Sequence, residues 1–176
     1  MRPSPNGGST AGWGEPVTIR QATAADWPAI WAILEPVFRV GDTYAVDRDI
    51  TEDAARTVWM DLPKATFVWD EGGVMGTYYI KQNHKGGASH VCNCGYVTSD
   101  AARGRGIAGA MCDHSLTAAR DLGFTAMQFN LVLASNVGAL RLWQRKGFDI
   151  VGTLPEAFDH PKDGLVDGHV MWKALA

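Results

Sequence analysis

Between Ala65 and Thr98 the apolar residues leave the helical spacing of the preceding stretch for three successive extended runs, Thr66 to Asp70, Val74 to Gln82 and His90 to Thr98. That change of period commits the chain to a sheet that begins with hairpins. Upstream, Val17-Thr18-Ile19-Arg20 alternates as a short strand, and Trp27, Ile30, Trp31, Leu34, Val37 and Phe38 share one face of a helix. Asp26 is placed to cap this helix, Pro28 suits its first turn, and Pro36 should kink its last, delivering the chain into the polar loop Gly41 to Asp49. Thr51 stands in a cap position before a short second helix, Glu52 to Leu62.

After Thr98 the period returns to helix. A glycine-rich turn precedes a helix from Gly106 to Leu122, whose core row would be Ile107, Met111, Ala118 and Leu122. A strand over Phe124 to Leu133, a helix over Ser135 to Lys146 closed by Gly147, and strands over Phe148 to Thr153 and Val166 to Trp172 complete the chain. The order β-α-α-β-β-β-α-β-α-β-β predicts a mixed sheet with helices on both faces, an α/β fold. Residues 17–176 read as one domain, and residues 1–16, rich in Pro, Gly, Ser and Thr, as a disordered leader.

Composition removes several classes of function. With 16 basic against 19 acidic residues, nothing global attracts nucleic acid or an anionic membrane, and any anion site must be local. No apolar run approaches the roughly 18 residues a membrane-spanning helix needs. The first residues also lack a basic segment followed by an apolar one, so a cytoplasmic protein is expected. Three cysteines, Cys92, Cys94 and Cys112, do not make a disulfide framework and read as reduced core thiols. His90, Cys92 and Cys94 alternate on one strand without a fourth ligand nearby in sequence, so no metal site is expected.

The chemistry concentrates at Arg103-Gly104-Arg105-Gly106. A strand, a glycine turn and a helix N-terminus form an oxyanion site, because the first N–H groups of a helix have no internal partner and the helix dipole favours negative charge. Arg103 and Arg105 add positive charge, and no acid follows Asp100 until Asp113. The nucleotide P-loop pattern is absent. Gly104-Arg105-Gly106-Ile107-Ala108-Gly109 has the spacing of a dinucleotide fingerprint, but no acid lies between Asp121 and Asp149 to end the next strand.

The arrangement resembles the GCN5-related N-acetyltransferase (GNAT) family, whose acetyl-CoA loop reads Arg/Gln-x-x-Gly-x-Gly/Ala; Arg103 to Ala108 fits every position. Asn136 to Trp143, followed by Gly147-Phe148, resembles the family's later motif, Asn-x-x-Ala-x-x-Leu-Tyr-x-x-x-Gly-Phe, with Trp143 in place of tyrosine. The resemblance implies a mostly antiparallel sheet of about six or seven strands with about four helices. It also implies acetyl-CoA as cosubstrate, with the backbone of Tyr96 and Val97 pairing with the pantetheine arm. The amides of Gly104, Arg105, Gly106, Ile107, Ala108 and Gly109, beside Arg103, would hold the pyrophosphate, and Asn136 would bond the cofactor's amide chain.

Trp143 departs from the family in a way that matters. An indole N–H donates a hydrogen bond but is no practical proton source, so Trp143 is expected to shape the thioester pocket and not to protonate the thiolate. The strand from His90 to Tyr96 also lacks the usual carboxylate base. Trp143, Asn93 and Asn130 together resemble a narrower subset, fungal acetyltransferases of azetidine-2-carboxylate and proline analogues, in which such asparagines address the substrate. An amide carbonyl can accept from an amine and its NH₂ can donate to a carboxylate.

The expected reaction is acetyl transfer from acetyl-CoA to the amine of a small molecule, an amino acid or analogue, by direct attack, with the catalytic site at Asn93 and Asn130. The loop Gly41 to Asp49, carrying Tyr44, would close over the acceptor. A peptide-type α-amine, with a pKa of about 8, needs only a modest proton acceptor. Transfer to a peptide or protein N-terminus, and acyl-CoA sensing without turnover, are the alternatives, and a homodimer is compatible with the sequence.

Overall fold

The computed structural model describes residues 16–175, so the leader expected over residues 1–16 lies, Pro16 apart, outside the described residues. The chain order is β1 (Thr18–Gln21), α1 (Trp27–Val40), α2 (Glu52–Arg56), β2 (Ala65–Asp70), β3 (Val74–Gln82), β4 (Val91–Thr98), α3 (Ile107–Asp121), β5 (Ala126–Leu133), α4 (Val137–Arg145), β6 (Asp149–His160) and β7 (Gly164–Ala174). The strands make a seven-stranded sheet ordered β1-β2-β3-β4-β5-β7-β6. Only β4 and β5 pair in parallel; the other five pairings are antiparallel. No described helix is long and apolar enough to cross a membrane.

Alternation along the central strands divides the core into two clusters. Tyr78 and Ile80 of β3 pack with Met111 and Cys112 of α3, Met127 and Phe129 of β5, Phe148 and Met171. Tyr79, between them in sequence, packs on the opposite face with Ile30, Leu34 and Phe38 of α1, Trp59 and Val97, as a period of two requires. Central strands buried on both faces read as continuous apolar runs, which explains the sequence of β3 and β4.

Several local expectations are corrected. Asp26 does not cap α1 through its side chain; its carboxylate accepts from Thr23 N–H at 2.7 Å and from Arg20 at 2.7 and 2.9 Å. Arg20 also reaches Asp70 at 2.9 Å, so this ion pair network ties β1 to β2 and to the entry of α1. The second helix starts as expected, with Thr51 Oγ1 accepting from Ala54 N–H at 3.3 Å, but widens into a π turn over Thr57–Asp61. On α3 the buried row is Ile107, Met111, Cys112, Ser115, Leu116 and Ala119, while Ala118 and Leu122 are only half-buried. The last hairpin runs well past the expected bounds, and Pro155, with a register shift between Leu154 and Phe158, interrupts its outer strand. A missing N–H and a bulge are what protect an exposed edge from pairing with another chain.

Candidate active site

Strands β4 and β5 touch only at Val91–Ala126 and Cys92–Met127, then part. At the fork the Asn93 side chain replaces the backbone ladder: Nδ2 donates to Gln128 C=O at 2.9 Å, and Oδ1 accepts from the Tyr79 hydroxyl at 3.2 Å. Tyr79 can lie there because Gly95 opposite it has no side chain; a Cβ would sit 2.7 Å from the Tyr79 ring. Beyond the fork opens a cavity of about 510 Å³, walled by Asn93, Cys94 and Tyr96, by Phe129 to Leu133, by Asn136, Ala139 and Trp143, and by the loop Thr43 to Asp47.

The backbone of Tyr96 faces this cavity. Its N–H donates to the Tyr44 hydroxyl at 3.0 Å, and the same hydroxyl donates to the Tyr96 carbonyl at 2.6 Å. Backbone groups alternate direction along an antiparallel strand, so Val97 turns its own N–H and C=O toward Thr77 of β3. Of the two residues expected to pair with a pantetheine arm, Tyr96 is therefore the one that offers its backbone. The Tyr44 ring is held edge-on to Phe38 and Trp59, and Trp59 is fixed by its indole N–H to Thr77 Oγ1 at 3.1 Å. Burial pushes the Tyr44, Tyr79 and Tyr96 hydroxyls and the Cys94 thiol above their ordinary pKa values, so all four are neutral near pH 7.

Trp143 faces the cavity from α4, its ring 5.1 Å from those of Tyr96 and Phe129. Asn136 caps α4, its Oδ1 accepting from Ala139 N–H at 3.1 Å, which leaves its NH₂ group for a ligand. Asn130 is exposed, bridging Gln128 at 3.0 Å and Asn83 at 2.8 Å. His90 is exposed, outside the cavity wall. Sequence reasoning missed the two charged residues on that wall among the described residues, Asp47 and Lys81. Alternation would have placed Lys81 on the Tyr79 face, but not shown that this face opens into a cavity.

The glycine turn lies beyond the end of β4. Gly104 and Gly106 have φ of +75° and +77°, and a Cβ on either would meet nothing within 4 Å. The first helical bond of α3 runs from Ala110 N–H to Gly106 C=O at 3.1 Å, leaving the N–H groups of Ile107, Ala108 and Gly109 without a helical partner. The Ile107 side chain is buried, so only its backbone can serve a ligand. Open space before a row of free amides fits a pyrophosphate. The expected local excess of positive charge is corrected, because Glu71 from the β2–β3 turn takes Arg105 through two contacts of 2.8 Å and Asp100 pairs with Arg103 at 3.0 Å. The backbone amides have no helical partner, and each guanidinium still has N–H groups beyond those its carboxylate takes. Cys92, Cys94 and Cys112 are buried and unpaired.

Residues 27–148 match the acetyltransferase (GNAT) family model. N-acetyltransferase aca1 of Schizosaccharomyces pombe is 30% identical over 148 residues, 74% of this chain and 68% of the relative. A GCN5-related N-acetyltransferase from Kribbella flavida superposes with a TM-score of 0.85 at 39% identity, covering 90% of this chain and 97% of that one. A phosphinothricin acetyltransferase from Sinorhizobium meliloti, solved in complex with acetyl-CoA, shares the fold at a TM-score of 0.79 and 24% identity, over 91% of this chain and 89% of that one.

Proposed function

The chain belongs to the GNAT family of acetyltransferases and is an N-acetyltransferase; from that premise we propose that it transfers acetyl from acetyl-CoA directly to the amine of a small molecule, an amino acid or analogue. The observation that carries the reading is the fork at Asn93. Only because β4 and β5 part there does the Tyr96 backbone meet a cavity that also holds amide side chains.

In this reading the neutral amine attacks the thioester carbon, the carbon–sulfur bond breaks with its electron pair leaving on CoA as the thiolate, the amine proton is passed to water, and water protonates the departing thiolate. Tyr96 N–H is the donor available to the thioester oxygen. The Tyr44 hydroxyl must release that group first. The amides of Ile107 to Gly109 hold the pyrophosphate, the Asn136 NH₂ group bonds the pantetheine chain, and Trp143 packs against it. Asn93 and Asn130 address the acceptor through the N–H and lone pair left over from the bonds each makes within the protein, as the narrower resemblance to proline-analogue acetyltransferases implies. A cavity of about 510 Å³ under a loop suits a small acceptor better than an extended peptide.

The test is release of free thiol from acetyl-CoA with the amino acids, simple amines and short peptides as acceptors. Turnover of free amino acids is the expected result. Turnover of peptides alone would move the reading to N-terminal acetylation, and tight CoA binding with no turnover to a sensor.

A further inference from the structure

Lys81 is paired with Asn93 across the β3–β4 ladder and shares the face of Tyr79. Its ammonium lies 5.3 Å from the centroid of the Tyr79 ring, whose hydroxyl reaches Asn93. It is half-buried, lines the cavity, and has no carboxylate within 4 Å among the described residues. Asp47, the other charge on the wall among the described residues, comes from the loop after α1.

We propose that Lys81 is the residue that binds the acceptor's carboxylate, which makes the preferred substrate a free amino acid whose amine and carboxylate are close together. The proposal rests on the small-acceptor reading above and deepens it. A half-buried lysine sharing a cavity wall with Ile50, Val58 and Leu131 has lost part of its hydration, and a ring face offsets that cost only in part. A carboxylate would complete the compensation through a charge-assisted bond. Three residues of strand, about 10 Å, separate the level of Asn93 from Tyr96, a gap that the flexible four-carbon stem of Lys81 can partly span. One cation and one carboxylate on the same cavity wall suit a zwitterion, whose two charges are of opposite sign.

The test compares the best amino acid found in the thiol-release assay with its own carboxamide, in the parent protein and in Lys81→Met and Lys81→Arg. The parent should favour the acid over the amide by tenfold or more in kcat/KM. Lys81→Met should lose about that factor on the acid, through KM, with little change on the amide, and Lys81→Arg should keep most of the preference. CoA affinity, measured by calorimetry, should be equal in all three. An acid-to-amide ratio unchanged in Lys81→Met would overturn the proposal while leaving the small-acceptor reading intact. A parent protein that turns over peptides but no free amino acid would overturn both.

Discussion

The Tyr44 hydroxyl occupies both backbone groups of Tyr96 that face the cavity, accepting at 3.0 Å from its N–H and donating at 2.6 Å to its carbonyl. Those are the groups a pantetheine arm and a thioester oxygen would use. Tyr44→Phe keeps the ring between Phe38 and Trp59 but removes the competing hydroxyl. With each net hydrogen bond worth about 1 kcal/mol, calorimetry should show CoA binding several-fold tighter in the variant. Unchanged or weaker binding would mean that the hydroxyl helps to hold the ligand.

Gly106→Asp puts a side chain at φ +77° and a negative charge where phosphate oxygens are expected. CoA affinity should fall by tenfold or more while circular dichroism is preserved. A folded variant with parental affinity would move the pyrophosphate away from the first turn of α3.

Trp143→Phe should retain both limbs of the pH dependence of kcat/KM, because an indole N–H does not titrate in the working range. The Michaelis constant should rise, since the ring contacts at 5.1 Å to Tyr96 and Phe129 shape the cavity wall. Loss of one limb would assign Trp143 a place in proton transfer.

Asn93 and Asn130 call for different variants. Asn93 is buried and bonded on both sides, so Asn93→Ala leaves partners unpaired and should lower stability by about 1–3 kcal/mol in chemical denaturation. Asn130 is exposed, so Asn130→Ala should unfold at nearly the parental midpoint and report function cleanly. Its kcat/KM for the best amino acid should drop about tenfold with CoA affinity unchanged; parental turnover would make Asn130 structural only.

His114 packs on Phe67 and bonds the Tyr78 hydroxyl through Nδ1, and burial lowers its pKa from the ordinary value near 6.5. The unfolded chain therefore takes up the proton first as pH falls, so stability is complete above about 6.5 and declines below it until the folded form also protonates. Thermal unfolding between pH 7 and 5 should show this slope, and His114→Phe should flatten it.

The β-α-α-β-β-β-α-β-α-β-β order was legible in the sequence because the apolar period changes from 3.6 to 2 and back, and because Thr51, Gly106 and Gly147 stop or start elements by local chemistry. The end of the last hairpin was not. Its outer strand is exposed almost throughout, so no core pattern marks where it stops. The row on α3 was misjudged because burial there follows where β3 to β5 run beneath the helix, which a helical period alone does not state.

The sequence by itself determined that a glycine turn would lead into a helix start with free N–H groups, because glycine turns and helix starts are local properties, while the resemblance to family motifs pointed to Asn93, Asn130, Asn136 and Trp143, which line one cavity. Only the tertiary structure decided how those groups are spent. Glu71 reaches Arg105 from 34 residues away and pairs with it, Tyr44 reaches Tyr96 from 52 residues away and takes its backbone, and Lys81 comes to line the cavity with no carboxylate partner among the described residues. Whether a donor is free or committed depends on groups distant in sequence that folding brings within about 3 Å, and no local pattern records that.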